Sequence, residues 1–272
     1  SKLANEVIIF IRGKDETGPA FDSAKRSASG LKSHLLDVGK TAAGFLAANV
    51  VGSGIKLFGS QLGSIVSNAS NLQESMSKVN VVFGDQAKAV QDWAKGSAQN
   101  IGQSRQQALE AAGTFGNLFT AMGLGRTESA GLSTNLVELA SDLASFNNIA
   151  IDEALIKLRA GLVGEAEPLR SLGVNINEAA VKTKALEMGL ADANGEVSMA
   201  SKVQARYALI LEQTANAQGD FERTSDGLAN QQRILKAATD DLKAGIGQAL
   251  LPVMVAVTKI LVANVIPAVE SA

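Results

Sequence analysis

Cysteine is absent from the 272 residues. That excludes a disulfide scaffold, a thiolate nucleophile and any cysteine-ligated metal. Histidine occurs once, as His34, in a run of Ser, Leu and Lys with no Asp, His or Cys cluster beside it. A Ser-His-Asp triad would have to use that one imidazole, and no Gly-x-Ser-x-Gly elbow accompanies it, so His34 reads as structural. Positive charge is not in excess: 25 Lys and Arg stand against 27 Asp and Glu, a formal net charge of −2. Specific nucleic-acid binding draws on clustered Lys and Arg, so none is expected. Aromatics reach only 4% and there are 4 prolines. No secretory signal is visible, because the first apolar run, Val7 to Ile11, is five residues long and too short for a signal core.

What is present is apolar and small. Hydrophobic residues make up 46% of the chain, mostly Ala, Leu and Val, with 26 glycines between them. Small side chains suit close helix–helix contact. The expected fold class is mainly α, a multi-helix bundle with a short N-terminal strand and long flanking helices. Residues 6–12 mix β-branched and aromatic residues between turn formers, which predicts the strand. Pro19 suits a first helical position, and a Gly-interrupted helical pattern follows to about Asn71. Three sections result: 1–71, strand plus long apolar helix; 72–224, compact helical bundle; 225–272, long helix with an apolar C-terminal segment.

Local signals place helices within the middle section. Ser104 with Gln107 makes a capping box. Ala108, Ala111, Ala112, Phe115, Leu118, Phe119 and Met122 then share one face, and Gly123 and Gly125 end that helix. A second helix opens near Thr127, turns Leu132, Leu136, Leu139, Ala140 and Leu143 inward, and stops at Asn147-Asn148. A third is capped by Asp152, buries Leu155, Leu158 and Leu162, and stops at Gly164. A fourth spans about Glu178 to Met188 and ends at Gly189. Asn194-Gly195 marks a turn, and the next helix presents Val203, Tyr207, Ile210, Leu211 and Thr214. Past Ser225, Leu228, Leu235 and Leu242 fall seven apart with Ala238 and Ile246 beside them, the spacing of a helix with a partner helix.

Motifs for bond chemistry are weak. Gly161-Leu-Val-Gly164 and Gly123-Leu-Gly125 lack the Lys-Ser/Thr of a phosphate loop and follow no strand, so these glycines read as helix caps. Glu-Ser pairs, used by lytic transglycosylases, occur at Glu74-Ser75, Glu128-Ser129 and Glu270-Ser271, but no Gly-Leu-Met-Gln-like motif follows. Glu165 and Glu167, just before Pro168, more simply complement the positive end of a short helix. No catalytic residue, cofactor or metal ligand is expected, and the chain does not read as an enzyme.

Two apolar segments remain. Residues 244–269 hold one charge, Lys259, and Leu250, Leu251, Val253, Val255, Ile260 and Leu261 make them a candidate buried or membrane-entering segment. Their length matches the ~20 residues of a membrane span, which gives the alternative reading of a membrane-active module inserting apolar helices into a host envelope, although Pro252, Pro267 and Lys259 oppose lipid insertion. Thr41 to Asn71 holds only Lys56, and its Gly59 and Gly63 form a small-x-x-x-small face. The candidate helix-association residues are therefore Gly59, Gly63, Leu228, Leu235, Leu242 and Ile246.

Several phrases carry a family resemblance. They are Leu158-Arg-Ala-Gly-Leu-Val-Gly-Glu165, Leu172-Gly173-Val174, the run Gly219-Asp-Phe-Glu-Arg-Thr-Ser-Asp-Gly-Leu-Ala-Asn-Gln231, and Gln248-Ala-Leu-Leu-Pro252 at the end of the Tyr207-to-Leu251 pattern. Together they resemble the tail tape measure proteins of long-tailed bacteriophages, over about residues 72–255. The resemblance implies a structural virion protein without bond chemistry. It would be assembled in the host cytoplasm as a few self-associating copies, with tail-tip proteins, tail assembly chaperones and tail tube protein as partners. It would fill the tube lumen until DNA ejection, with possible contact to the host membrane. A fully helical rod of this length would span ~410 Å, short for a long tail. Pro267 to Ala272 also ends inside an apolar pattern, so the expectation is a fragment of a longer protein.

Overall fold

A computed structural model describes the chain from Gly54 to Ile260, with side-chain surroundings from Gly63 to Ala249 and at Leu251, Pro252 and Val255. The strand expected at 6–12 lies outside the described residues. So do Leu261 and the helical pattern before Gly54.

Eleven α-helices are assigned among the described residues: α1 (Gly54–Phe83), α2 (Ala87–Trp93), α3 (Ser97–Ile101), α4 (Arg105–Ala121), α5 (Arg126–Phe146), α6 (Ile151–Val163), α7 (Glu167–Arg170), α8 (Glu178–Glu187), α9 (Met199–Gln213), α10 (Asp220–Arg223) and α11 (Leu228–Ile260). Short 3-10 turns at Gly84–Gln86 and Ala94–Gly96 join the first three. No strand appears among the described residues; one isolated antiparallel bridge joins Ala191 to Val197. The chain forms two compact units, one of residues 60–248 and one of residues 1–59 with 249–272. Of the second unit, the described parts are helical: the start of α1 and the end of α11, which carries Pro252 inside it.

In the 60–248 unit, α5 packs against α4, α6 and α10, while α8 and α9 form a hairpin whose α9 reaches α6. Local chemistry sets the element ends. The Ser104 hydroxyl accepts from the Gln107 N–H and the Gln107 side chain accepts from the Ser104 N–H, so the capping box is complete. Asn177 caps α8 by accepting from the Ala180 N–H at 2.8 Å. The α6 helix closes on Gly164 at φ 106, which a side chain would strain. Asn148, at φ 52, turns the chain out of α5.

Two local expectations need correction. Asp152 does not cap α6: the cap position is Ala150, with no side-chain bond, and Asp152 sits in the first turn, where its charge meets the positive helix end. Gly161 is no cap either. It lies inside α6, where an added Cβ would run into the Leu169 side chain, so its smallness brings α7 onto α6.

The interior carries Phe83, Phe119, Leu109, Leu136, Leu143, Leu158, Leu162, Leu169 and Ile210, all fully buried. Each such side chain contributes about 1.5–3 kcal/mol on burial. The helical face expected for α4 holds: Ala108, Ala112, Phe115 and Phe119 are buried, and Ala111, Leu118 and Met122 pack against the core. Gly116 admits the Phe83 ring, which occupies the space a Cβ would need.

Candidate interaction surface

Among the described residues no group of three or more His, Asp or Glu side chains could hold a metal. Glu165 and Glu167 are exposed. Of the Glu-Ser pairs, Ser75 is buried and bonded to Glu110 and Gln106. Glu128 takes a hydrogen bond from Gln204 while Ser129 is buried in α5. An open depression of about 320 Å³ between α4 and α6 is lined by Glu110, Phe115, Asp152, Leu155, Ile156 and Arg159. Its Glu110 is already engaged by Lys78 at 2.7 Å, so no pair of free carboxylates converges there.

The distinctive region is the joint that fastens α11 to the bundle. The Gly219–Gln231 run builds it. Gly219 takes the left-handed conformation at φ 74, and the Asp142 carboxylate accepts from the N–H groups of Gly219 (2.8 Å) and Phe221 (3.0 Å). Burial raises the Asp142 pKa above its ordinary value despite these two bonds. Phe221 is buried against Gly102, where a Cβ would stand 2.8 Å from the ring. Thr224 donates to the Asp220 carbonyl at 2.7 Å. Asn230 is buried and its amide donates to the Ser145 and Thr224 hydroxyls, both at 2.9 Å.

Further along α11, two charges meet two helix ends. Arg233 donates to the carbonyls of Ala144 (3.3 Å) and Ile149 (2.9 Å), at the C-terminal end of α5. Asp241 accepts from the Arg105 N–H, the first of α4, at 2.7 Å. A cation at a C-terminus and an anion at an N-terminus both complement the helix dipole. Burial nevertheless pushes the Asp241 carboxyl up to about 6, with the Arg105 bond opposing the rise. The inward row of α11 is Ile234 and Ala237 between these anchors and Ala244 just beyond them, all buried. At Gly247 the helix touches α1: an added Cβ would meet the Ile65 carbonyl oxygen and lie 2.7 Å from Ala69 Cβ.

The outward row is different. Leu228, Leu235 and Leu242 are 76%, 69% and 51% exposed. The helix thus turns three leucines to solvent while Ile234, Ala237 and Ala244 face its own bundle. Ile246 is half-buried. Gly63 is exposed, and a Cβ there would meet nothing within 4 Å; Gly59 lies in α1. In the apolar segment, Leu251 is half-buried, Val255 is exposed, and Leu250, Val253 and Ile260 belong to α11. No helix of the described residues is long and apolar enough to cross a membrane.

A second joint holds the other quoted phrases. The buried Arg206 guanidinium donates to Glu178 Oε1 at 2.6 Å and to the Leu162 carbonyl at 3.3 Å, beside Gly164. The Arg206 hydrogen bond holds the Glu178 carboxyl below its usual range. One side chain on α9 thereby ties the end of α6 to the start of α8. After Gly173, at φ 80, Leu172, Val174 and Ile176 point inward alternately with exposed Gly173, Asn175 and Asn177.

Sequence reasoning missed Asp142, Arg206, Asn230, Arg233 and Asp241. The available signal was polarity inside otherwise apolar rows, as in Asn230-x-x-x-Ile234 and Val203-x-x-Arg206. No family profile, curated protein or solved structure matches this chain.

Proposed function

We propose that this chain is part of a structural virion protein, a tail tape measure protein, and that it works by helix association and not by bond chemistry. The observation that carries the reading is α11, whose leucine row faces away from its own bundle. A helix of that kind is built to be covered by another helix. The resemblance supplies the context: the quoted phrases, Leu158–Glu165, Leu172–Val174 and Gly219–Gln231, coincide with the two joints that orient α7, α8 and α11 on the bundle. In this reading the bundle is an anchoring module, and the long helices serve as scaffold for tube protein and fill the tube lumen. Tail-tip proteins and assembly chaperones are its partners.

The test is tail length. A helical stretch is deleted in frame from the gene that encodes this chain, outside residues 72–224, and tails are measured by negative-stain electron microscopy. Shortening by ~1.5 Å per residue removed is the expected result. Tails of unchanged length would sink the proposal.

A further inference from the structure

We infer that the outward stripe of α5, with Trp93 and Tyr207 beside it, docks a helical segment of another protein that carries two basic side chains. The inference goes beyond the tail reading and does not depend on it.

Glu128, Gly131, Asn135 and Glu138 recur at intervals of three and four along α5, and all four are exposed. That spacing lines one helix face. The single tryptophan and the single tyrosine of the chain both reach this face, from different helices. The Trp93 indole N–H, on α2, donates to Glu138 Oε1 at 2.7 Å. The Tyr207 hydroxyl, on α9, accepts from the Asn135 amide at 3.3 Å. Burial raises the Tyr207 pKa, the Asn135 bond opposes the rise, and the Glu138 charge adds to it, so the hydroxyl lies within the field of that carboxylate. Gln204, one turn earlier on α9, donates to Glu128. The stripe ends at Asp142, whose carboxylate is spent on Gly219 and Phe221.

Both glutamates accept from neutral donors, and among the described residues no cation pairs with either. The cations on or next to these three helices are committed elsewhere. Lys88 and Lys95 both meet Asp92 at 2.5 Å. Lys202 and Arg206 both meet Glu178. The Arg126 guanidinium lies against Gly84, where it fills the space a Cβ would need. The face therefore carries two negative charges that the chain itself leaves unmatched.

Charge selects the occupant. Fixed carboxylates attract a cation, and an aromatic ring beside them adds a cation–π contact, most often to arginine. Tryptophan and tyrosine are also the side chains that concentrate binding energy at interfaces. Gly131 supplies room between the two charges: a Cβ there would meet nothing within 4 Å, so a partner helix can lie close along α5. Glu128 and Glu138 are ~15 Å apart along the helix axis. Two arginines eleven residues apart on a partner helix share one face and span ~16 Å, which matches that separation.

The probe is a synthetic alanine–glutamine helix carrying two arginines eleven residues apart, titrated into the purified chain. Because Trp93 is the only tryptophan, its emission reports this face directly. A saturable change in that emission is expected, weakened by added salt. E128Q and E138Q keep acceptors for Gln204 and Trp93, and each is expected to weaken binding about two- to fivefold with unchanged helicity by circular dichroism. A peptide with its arginines four residues apart spans only ~6 Å and reaches one carboxylate, so it is expected to bind as weakly as the single variants do. Unchanged emission up to about 1 mM peptide would overturn the inference. So would equal binding by the closely spaced or an arginine-free peptide, or full affinity in the E128Q/E138Q double variant. None of these results bears on tail length, so the two proposals fall separately.

Discussion

Two leucine rows in this molecule obey similar spacing and meet opposite fates. On α5, Leu136, Leu139 and Leu143 are buried together with Val137 and Ala140. On α11, Leu228, Leu235 and Leu242 face solvent while Ala237 and Ala244 go inward. Periodicity says that a helix has an apolar face; it does not say whether the same chain supplies the cover. For α5 the cover comes from α4 and α6, each joined to it by a short connection, and from α10, which returns to it from much further along the chain. For α11 the polar anchors Asn230, Arg233 and Asp241 flank the buried Ile234 and Ala237, and together they fix which side of the helix is turned inward.

The sharpest way to break this comparison is to remove one leucine from each row. Leu136→Ala leaves a cavity in a closed interior and is expected to cost about 2–5 kcal/mol of unfolding free energy in urea titration. A loss below about 1 kcal/mol would mean that α5 is not the packed centre. Next in size is Gly161→Val, which forces the Leu169 side chain away from α6. Overpacking of this kind costs about 1–3 kcal/mol, measured as a lower denaturation midpoint, and an unchanged midpoint would contradict the close α6–α7 contact.

Asp241 tests the attachment itself. Its carboxyl is raised to about 6 by burial in the folded chain, against ~3.9 when unfolded. The folded state therefore holds the proton more tightly than the unfolded one. Stability from this group is fully present below the unfolded value and is lost as pH rises through about 6. Asp142, also raised, acts in the same direction. Asp241→Asn keeps an acceptor for the Arg105 N–H without the charge, so the fall in melting temperature between pH 5 and pH 7 is expected to shrink. An identical pH profile would show that Asp241 is not buried at that helix end. The smallest effect belongs to Leu235→Ala, expected within about ±0.5 kcal/mol in dilute solution. A loss comparable with Leu136→Ala would place Leu235 inside a core and remove the contrast.

Features governed by neighbours in sequence were legible in the sequence itself. The Ser104–Gln107 box, the stop at Asn147-Asn148, the left-handed Gly164 and the Asn194-Gly195 turn depend on residues within one helical turn. Errors arose at one helix boundary and where a distant partner decides. Asp152 carries the composition of a cap, yet α6 begins at Ile151, and its side chain is left to serve the first turn. Gly161 resembles a stop signal until Leu169 is seen to occupy its Cβ space. Arg206 lies in an apolar pattern because its partners, Glu178 and the Leu162 carbonyl, are 28 and 44 residues away.

By itself the sequence determined that this chain is mainly helical, that its helices are striped with small apolar residues, and that thiol and cysteine–metal chemistry are closed to it. Those properties follow from composition and from the period of the α-helix. The tertiary structure alone decided which stripe is spent on the chain's own interior and which is left bare. That choice depends on where Asp142, Arg233 and Asp241 find exposed backbone groups on other helices. Such pairings span tens of residues or more and leave no mark in local spacing.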